Sequence, residues 1–198
     1  MHRDVYLRIA KLHKEELNQS FIGTLKIETI ALYYEALDSS KSNFLIFSES
    51  DNRINGFVAI GSSMFEVYKY IIFRPLKLFK DFPINIFRFS VFKGIFESFH
   101  HNLSQHSNKD LPKSELYHIA VHQDKKGSGL AKELFMESCK VFKKNNINIF
   151  RINVGKRLLR AQSFYEKLGC KRISETTIHG SEESITYIYN IDNERSVN

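Results

Sequence analysis

The residues best placed to do chemistry lie in one run, Val121-His122-Gln123-Asp124-Lys125-Lys126-Gly127-Ser128-Gly129-Leu130-Ala131. The run follows an apolar segment, Leu116-Tyr117-His118-Ile119-Ala120-Val121, that reads as a strand. It leads into Leu130, Leu134, Phe135, Ser138 and Phe142 at helical spacing. A glycine-rich bend between a strand and a helix leaves N–H donors unpaired, because the first turn of a helix has no carbonyls behind it. The helix dipole adds partial positive charge at the same end. Such a bend binds phosphate, and Lys125 and Lys126 stand at its edge. Two common phosphate-binding patterns are excluded by spacing. No Gly-Lys-Ser/Thr closes a P-loop, and Gly127-Ser128-Gly129 is followed by Leu130-Ala131-Lys132, which lacks the third glycine of the dinucleotide fingerprint.

A second segment, Ala161-Gln162-Ser163-Phe164-Tyr165-Glu166-Lys167-Leu168-Gly169-Cys170, reads as a helix closed by a glycine cap. Together the two segments resemble the GNAT superfamily of N-acetyltransferases. The acyl-CoA motif of that family runs Val, four residues, Arg or Gln, two residues, Gly, one residue, Gly or Ala. Val121, Lys126, Gly129 and Ala131 fall at these places, with Lys126 keeping a donor and a positive charge where Arg or Gln is usual. The second segment is similar to the family's Ala-x-x-x-Tyr-Glu-Lys-Leu-Gly-Phe helix, with Cys170 for Phe and Leu158 where many members carry Asn. The Leu158 departure puts an Asn-mediated cofactor contact in doubt, but not the fold.

The resemblance implies an α/β (α+β) GNAT fold. Its central sheet would be mixed, mostly antiparallel, splayed between strands 4 and 5 and flanked by helices, with a helical insertion between strands 3 and 4. It implies an acyl-CoA-dependent N-acyltransferase that uses acetyl-CoA as cosubstrate, needs no metal and acts by direct attack of a primary amine. Lys126, Gly127, Ser128, Gly129, Leu130 and Ala131 would hold the diphosphate. Ile119, Ala120 and Val121 would pair with the pantetheine arm as in strand addition. Tyr165 matches the family's general acid, a phenol that donates a hydrogen bond to the departing thiolate. Glu115, six residues before Val121, is the first candidate for the base, since histone-acetylating members place a Glu at a similar distance. An exposed Glu at a strand's start reads equally well, and some members use no dedicated base. Regular alternation puts Tyr117 on the face of Glu115 and turns His118 to the opposite face as a structural residue. His122 reads as a solvated loop residue.

The 198 residues suit one domain, 1–198, and a hydrophobic content of 42% excludes a disordered chain. The net charge of +7 suits an anionic ligand such as coenzyme A, and equally a generally basic surface. Cys139 and Cys170 form no metal or redox motif and read as buried thiols of a cytoplasmic protein. The N-terminus lacks a signal-peptide core, and no apolar run is long enough for a membrane span.

Along the chain, Val5 to Ala10 alternates like a strand and Lys14 to Asn18 reads as a short helix. Residues 20–38 form a helix, 44–48 and 54–61 a hairpin turning at Ser50–Arg53. The remainder reads as strand 115–121, helix 129–144, strand 147–154, helix 157–168, and strands near 171–178 and 184–191 joined at Gly180-Ser181. The link 62–113 is long for the fold. It holds nine of the 17 phenylalanines, interleaved with lysines and arginines and broken by Pro75 and Pro83. It reads as a helical flap on the core, with an acceptor lid, a homodimer interface or a membrane-touching surface as further readings. Its His100, His101 and His106 lack the ligand set of a metal site. Nucleic-acid binding through this stretch is set aside because its phenylalanines fall mostly at helical spacing. A non-catalytic acyl-CoA sensor remains the alternative from another class. Residues Phe21 to Leu37 and the aromatic link look similar to a bacterial subgroup tied to surface-polysaccharide synthesis, which makes an amino sugar the guessed acceptor. A small amine or a protein amine stays open.

Overall fold

The computed structural model describes residues 2–72, 111–178 and 182–192. Among them the order is α1 (Arg3–Glu16), a 3-10 turn (Ile22–Thr24), α2 (Ile27–Asp38), β1 (Asn43–Ser50), β2 (Arg53–Gly61) and α3 (Met64–Ile72). Then follow β3 (Glu115–Val121), a 3-10 turn (Gln123–Lys125), α4 (Leu130–Lys144), β4 (Ile149–Gly155), α5 (Leu159–Lys167), β5 (Lys171–Ile178) and β6 (Glu182–Asn190). The six strands form one sheet in the order β1-β2-β3-β4-β6-β5. All neighbours are antiparallel except β3 and β4, which run parallel.

The first expected strand is helix. Val5, Leu7 and Ile9 do alternate, but the buried side chains are Tyr6, Ile9, Ala10, Leu12 and His13. Tyr6, Ile9, Ala10 and His13 recur at the helical spacing of three, four and seven. His13 is a polar type by composition yet wholly buried, so counting apolar residues leaves the helical face unclosed. The strand numbering therefore drops by one, and the splay expected between strands 4 and 5 lies between β3 and β4.

The hairpin of β1 and β2 turns on Asp51 and Asn52, both at positive φ, between the paired Ser50 and Arg53. Two successive positive φ values make the turn whose twist matches flanking strands, and Asp and Asn tolerate them best after glycine. The sheet separates two cores. On one face α4 and α5 pack on Leu116, Val121, Phe150, Ile152, Ile185 and Tyr187. On the other, α1, α2 and α3 pack on Phe57, Ala59 and Ala120. Phe135 and Phe142 of α4 are fully buried, each contributing roughly 1.5–3 kcal/mol by leaving water. The aromatic link lies outside the described residues from 73 to 110, with its three histidines. Its described start is α3. The hairpin at Gly180-Ser181 also lies outside them.

Candidate active site

Two features of β3 shape the site. The first is a bulge. β3 pairs with β2 through Ala59↔His118 and then Ile60↔Leu116, so Tyr117 is an extra residue. The extra residue breaks the alternation. Tyr117 packs on the core under α1 and α2, and so does His118, whose ring meets those of Tyr33, Tyr34 and His13. The expectation that His118 turns away from Tyr117 is thereby corrected: both side chains face α1 and α2.

The second feature is a gap. β3 pairs with β4 at Glu115↔Arg151 and Leu116↔Ile152, and the two strands then part. The His122 N–H donates to the Asn55 carbonyl of β2 at 2.8 Å, and a Cβ on Gly56 would meet the Ala120 carbonyl oxygen at 3.0 Å. Backbone groups alternate sides along a strand, so Ala120 faces β2 while Ile119 and Val121 turn theirs to the gap. Of the three residues expected along a pantetheine arm, Ile119 and Val121 present an open edge and Ala120 does not.

At the end of β3 the chain enters the bend. His122 caps the 3-10 turn: its Nδ1 accepts from the Asp124 N–H at 3.2 Å and from Arg53 at 2.8 Å. Arg53 also donates to the Asp124 carboxylate at 2.7 Å and holds its pKa below the usual carboxylate value. This anchors the bend to the β1–β2 hairpin. The amides of Lys126 and Ser128 are spent within the turn, on the carbonyls of Gln123 and Lys125. The Ser128 hydroxyl donates to the Lys125 carbonyl at 2.7 Å and accepts from the Leu130 N–H at 3.4 Å. Among the described residues, the N–H groups of Gly127, Gly129, Ala131 and Lys132 have no partner; the first α4 bond runs from Glu133 N–H to the Gly129 carbonyl. Gly127 and Gly129 have φ of 82° and 91°, which side-chain-bearing residues rarely adopt, and no protein atom lies within 4 Å of where their Cβ would be. The bend is therefore an open cradle of amides at the positive end of a 15-residue helix. Lys126 reaches the Glu16 carboxylate at the end of α1 at 2.5 Å, and remains about half exposed.

Tyr165 lies in α5, whose end is a Schellman motif. The Cys170 N–H bonds the Tyr165 carbonyl at 3.0 Å and the Gly169 N–H bonds that of Glu166 at 2.9 Å, with Gly169 at φ 85°. The Tyr165 ring is 4% exposed among Phe135, Phe164 and Tyr187. Its hydroxyl makes no hydrogen bond to any described residue. Burial raises its pKa, so it stays a protonated donor. Beneath it, burial pushes the Cys170 thiol up to about 12, which keeps it protonated and poor as a nucleophile.

Glu115 stands at the closed end of the gap, on the opposite face from Tyr165. Arg151 donates to its Oε2 through Nε at 3.0 Å and through Nη2 at 2.9 Å. Asn153 Nδ2 donates to its Oε1 at 2.8 Å, and Thr186 Oγ1 in turn donates to Asn153 Oδ1 at 2.9 Å. Arg151 is 4% exposed. A carboxylate held this way neutralises a buried guanidinium, and both oxygens are engaged. The Tyr117 hydroxyl donates to Asn43 Oδ1 at 3.1 Å, and burial together with the nearby Glu115 charge raises its pKa. The sequence alone gave no sign of Arg151, Asn153 and Thr186 as partners of Glu115, nor of Tyr33 and His13 beside His118.

Residues 104–182 match the family model of the acetyltransferase (GNAT) domain. No curated protein matches the sequence. Among solved structures, an N-acetyltransferase from Staphylococcus aureus Mu50 superposes with a TM-score of 0.62 at 11% identity, over 95% of its chain and 96% of this one. The PaiA N-acetyltransferase from Thermoplasma acidophilum, solved in complex with coenzyme A, gives 0.56 at 15% identity over 96% of both chains. The ribosomal-protein-S18-alanine N-acetyltransferase from Escherichia coli gives 0.52 at 14%, over 87% of its chain and 93% of this one. The chain has the fold of these acetyltransferases, and its residues 104–182 are similar to the acetyltransferase (GNAT) domain.

Proposed function

We propose that the protein transfers an acetyl group from acetyl-CoA to a primary amine by direct attack. The observation that carries this reading is the amide cradle at Gly127, Gly129, Ala131 and Lys132, which opens beside the unpaired β3 edge of Ile119 and Val121. A diphosphate fits the cradle, and the amides of an extended pantetheine arm fit the edge, as a strand fits a sheet. The Thermoplasma acidophilum structure, solved in complex with coenzyme A, supports the reading through its similar fold.

Acetyl-CoA would supply the activated acyl group. The residues of the chain align it, and alignment accounts for much of the barrier reduction. Tyr165 donates a hydrogen bond toward the leaving sulfur. Its raised pKa makes full proton transfer uphill, so it acts by stabilising the thiolate. The buried thiols Cys139 and Cys170 offer no covalent route and fit a reducing cytoplasm. No described helix is long and apolar enough to cross a membrane. For the acceptor we carry forward the amino sugar suggested by the resemblance, with small and protein amines as the competing classes.

Calorimetry with acetyl-CoA, followed by thiol release against amino sugars, polyamines and peptides, tests the reading. Binding with thiol release from at least one amine supports it. Binding without release from any amine would leave a sensor in its place, and no binding would remove the reading altogether.

A further inference from the structure

We infer that Glu16 is a built-in rival of the cofactor: it competes with the diphosphate for Lys126, which tempers the affinity for acetyl-CoA and speeds the departure of CoA. The inference rests on the diphosphate site proposed above and names a residue of another element that tunes it.

Lys126 stands one residue before Gly127, the first glycine of the cradle, and its Nζ lies 2.5 Å from Glu16 Oε2. Glu16 is the last residue of α1. The negative end of that helix dipole therefore adds to the carboxylate. Together they meet the positive end of α4, where the cradle opens. Asp124, the acid of the bend itself, is paired with Arg53 at 2.7 Å and does not contest Lys126. In the last turn of α1, Lys14 donates to the Leu25 carbonyl at 2.6 Å, so its charge is spent on the segment before α2. His13 in the same turn is buried, and burial keeps it neutral. Among the described residues, Lys126 is the cation that Glu16 pairs with.

The two partners differ in freedom. The Glu16 side chain is 13% exposed and that of Lys126 is 54% exposed. The carboxylate is thus the fixed partner, and the ammonium, on its flexible four-carbon stem, is the mobile one. A diphosphate entering the cradle from solvent carries more negative charge than one carboxylate and draws Lys126 to itself. Glu16 is then left partly desolvated, without its counter-ion and close to an anion. Both effects penalise the bound state. Neither acts in the empty protein, so the pair lowers the affinity for any ligand that brings a diphosphate to the bend. When the ligand leaves, Lys126 returns to Glu16. Affinity differences of this kind fall mostly on the dissociation rate, so the carboxylate favours release of the spent CoA.

The test uses the full chain, with calorimetry for acetyl-CoA affinity and surface plasmon resonance for the off-rate of CoA. Glu16→Gln keeps the length of the side chain and removes its charge. It is expected to bind acetyl-CoA about three- to tenfold more tightly at an ionic strength of about 0.05 M, and to release CoA more slowly by a similar factor. At about 0.5 M salt the gain should shrink to less than about two-fold, because the charges are screened. A gain that came from altered packing would persist there. In a Lys126→Met background the same substitution should change affinity by less than about two-fold, since no ammonium is left to contest. Glu16→Asp, which draws the carboxylate back by one methylene, should tighten binding about two-fold and decides the matter if Glu16→Gln does not fold. Affinity of the Glu16 variant equal to or below the parent's, or an equal gain with and without Lys126, would overturn the inference while the parent's binding of acetyl-CoA keeps the cradle as the diphosphate site. A parent protein that binds no acetyl-CoA would remove both.

Discussion

Glu115 and Arg151 stand directly opposite each other where β3 and β4 part, and their side chains pair at 2.9 Å across the closed end of the gap. Removing one partner of a buried ion pair leaves an uncompensated charge, which typically costs about 3–5 kcal/mol. Glu115→Ala is therefore expected to lower the denaturation midpoint sharply. Replacing both residues, as Glu115→Leu with Arg151→Met, should recover most of that loss, because apolar side chains of similar volume carry no desolvation penalty. Urea melts of the parent, the single and the double variant check this. A single variant as stable as the parent would show that the pair contributes nothing.

Gly129 has φ of 91° and empty space beyond its Cα. Gly129→Ala meets no protein atom, so its structural cost is the backbone strain alone, about 1–2 kcal/mol. A bound diphosphate would meet the new methyl. The expected result is a loss of acetyl-CoA affinity of tenfold or more, measured by calorimetry, beside a modest loss of stability. Unchanged affinity would place the diphosphate elsewhere.

The Tyr165 hydroxyl makes no hydrogen bond to a described side chain, whereas its ring is packed against Phe135 and Phe164. Tyr165→Phe should then leave stability and acetyl-CoA affinity close to the parent's while kcat falls about 10–100-fold. Equal turnover would count against a donor role for the phenol.

Some of this was legible in the sequence for stated physical reasons. The bend declared itself because Gly127 and Gly129 sit where positive φ is needed between a strand and a helix, and Gly169 marked the end of α5 in the same way. The six strands, and the helices α4 and α5, were placed in the right order within a few residues at their ends, whereas α3 was read only as part of an undivided helical link and the 3-10 turn Gln123–Lys125 was not read at all. What escaped depended on contacts remote in sequence. Arg151 interrupts the apolar run of β4, and nothing local announces a carboxylate 36 residues away. The bulge at Tyr117 escaped because alternation assumes one residue per step, and a single insertion moves His118 to the other face. The first helix was read as a strand because His13, which closes its buried face, does not count as apolar.

That buried histidine makes stability depend on pH. Burial lowers the pKa of His13 to about 2 and that of His118 to about 4, against an ordinary value near 6.5. Below about pH 6.5 the unfolded chain binds a proton at each site and the folded chain does not. Stability is therefore fully present above pH 6.5 and falls as the pH drops, down to about 4 for His118 and further for His13. The slope approaches roughly 1.4 kcal/mol per pH unit for each histidine while its folded form stays neutral. Urea midpoints at pH 7.5, 6 and 5 should fall progressively. His13→Gln, which can keep a hydrogen bond to Tyr34 or Ser20 without titrating, should be less stable at pH 7.5 and lose less between pH 6 and 5. If the two proteins lost stability in parallel, the acid sensitivity would have to arise from carboxylates instead, and His13 would be no more than a well-packed ring.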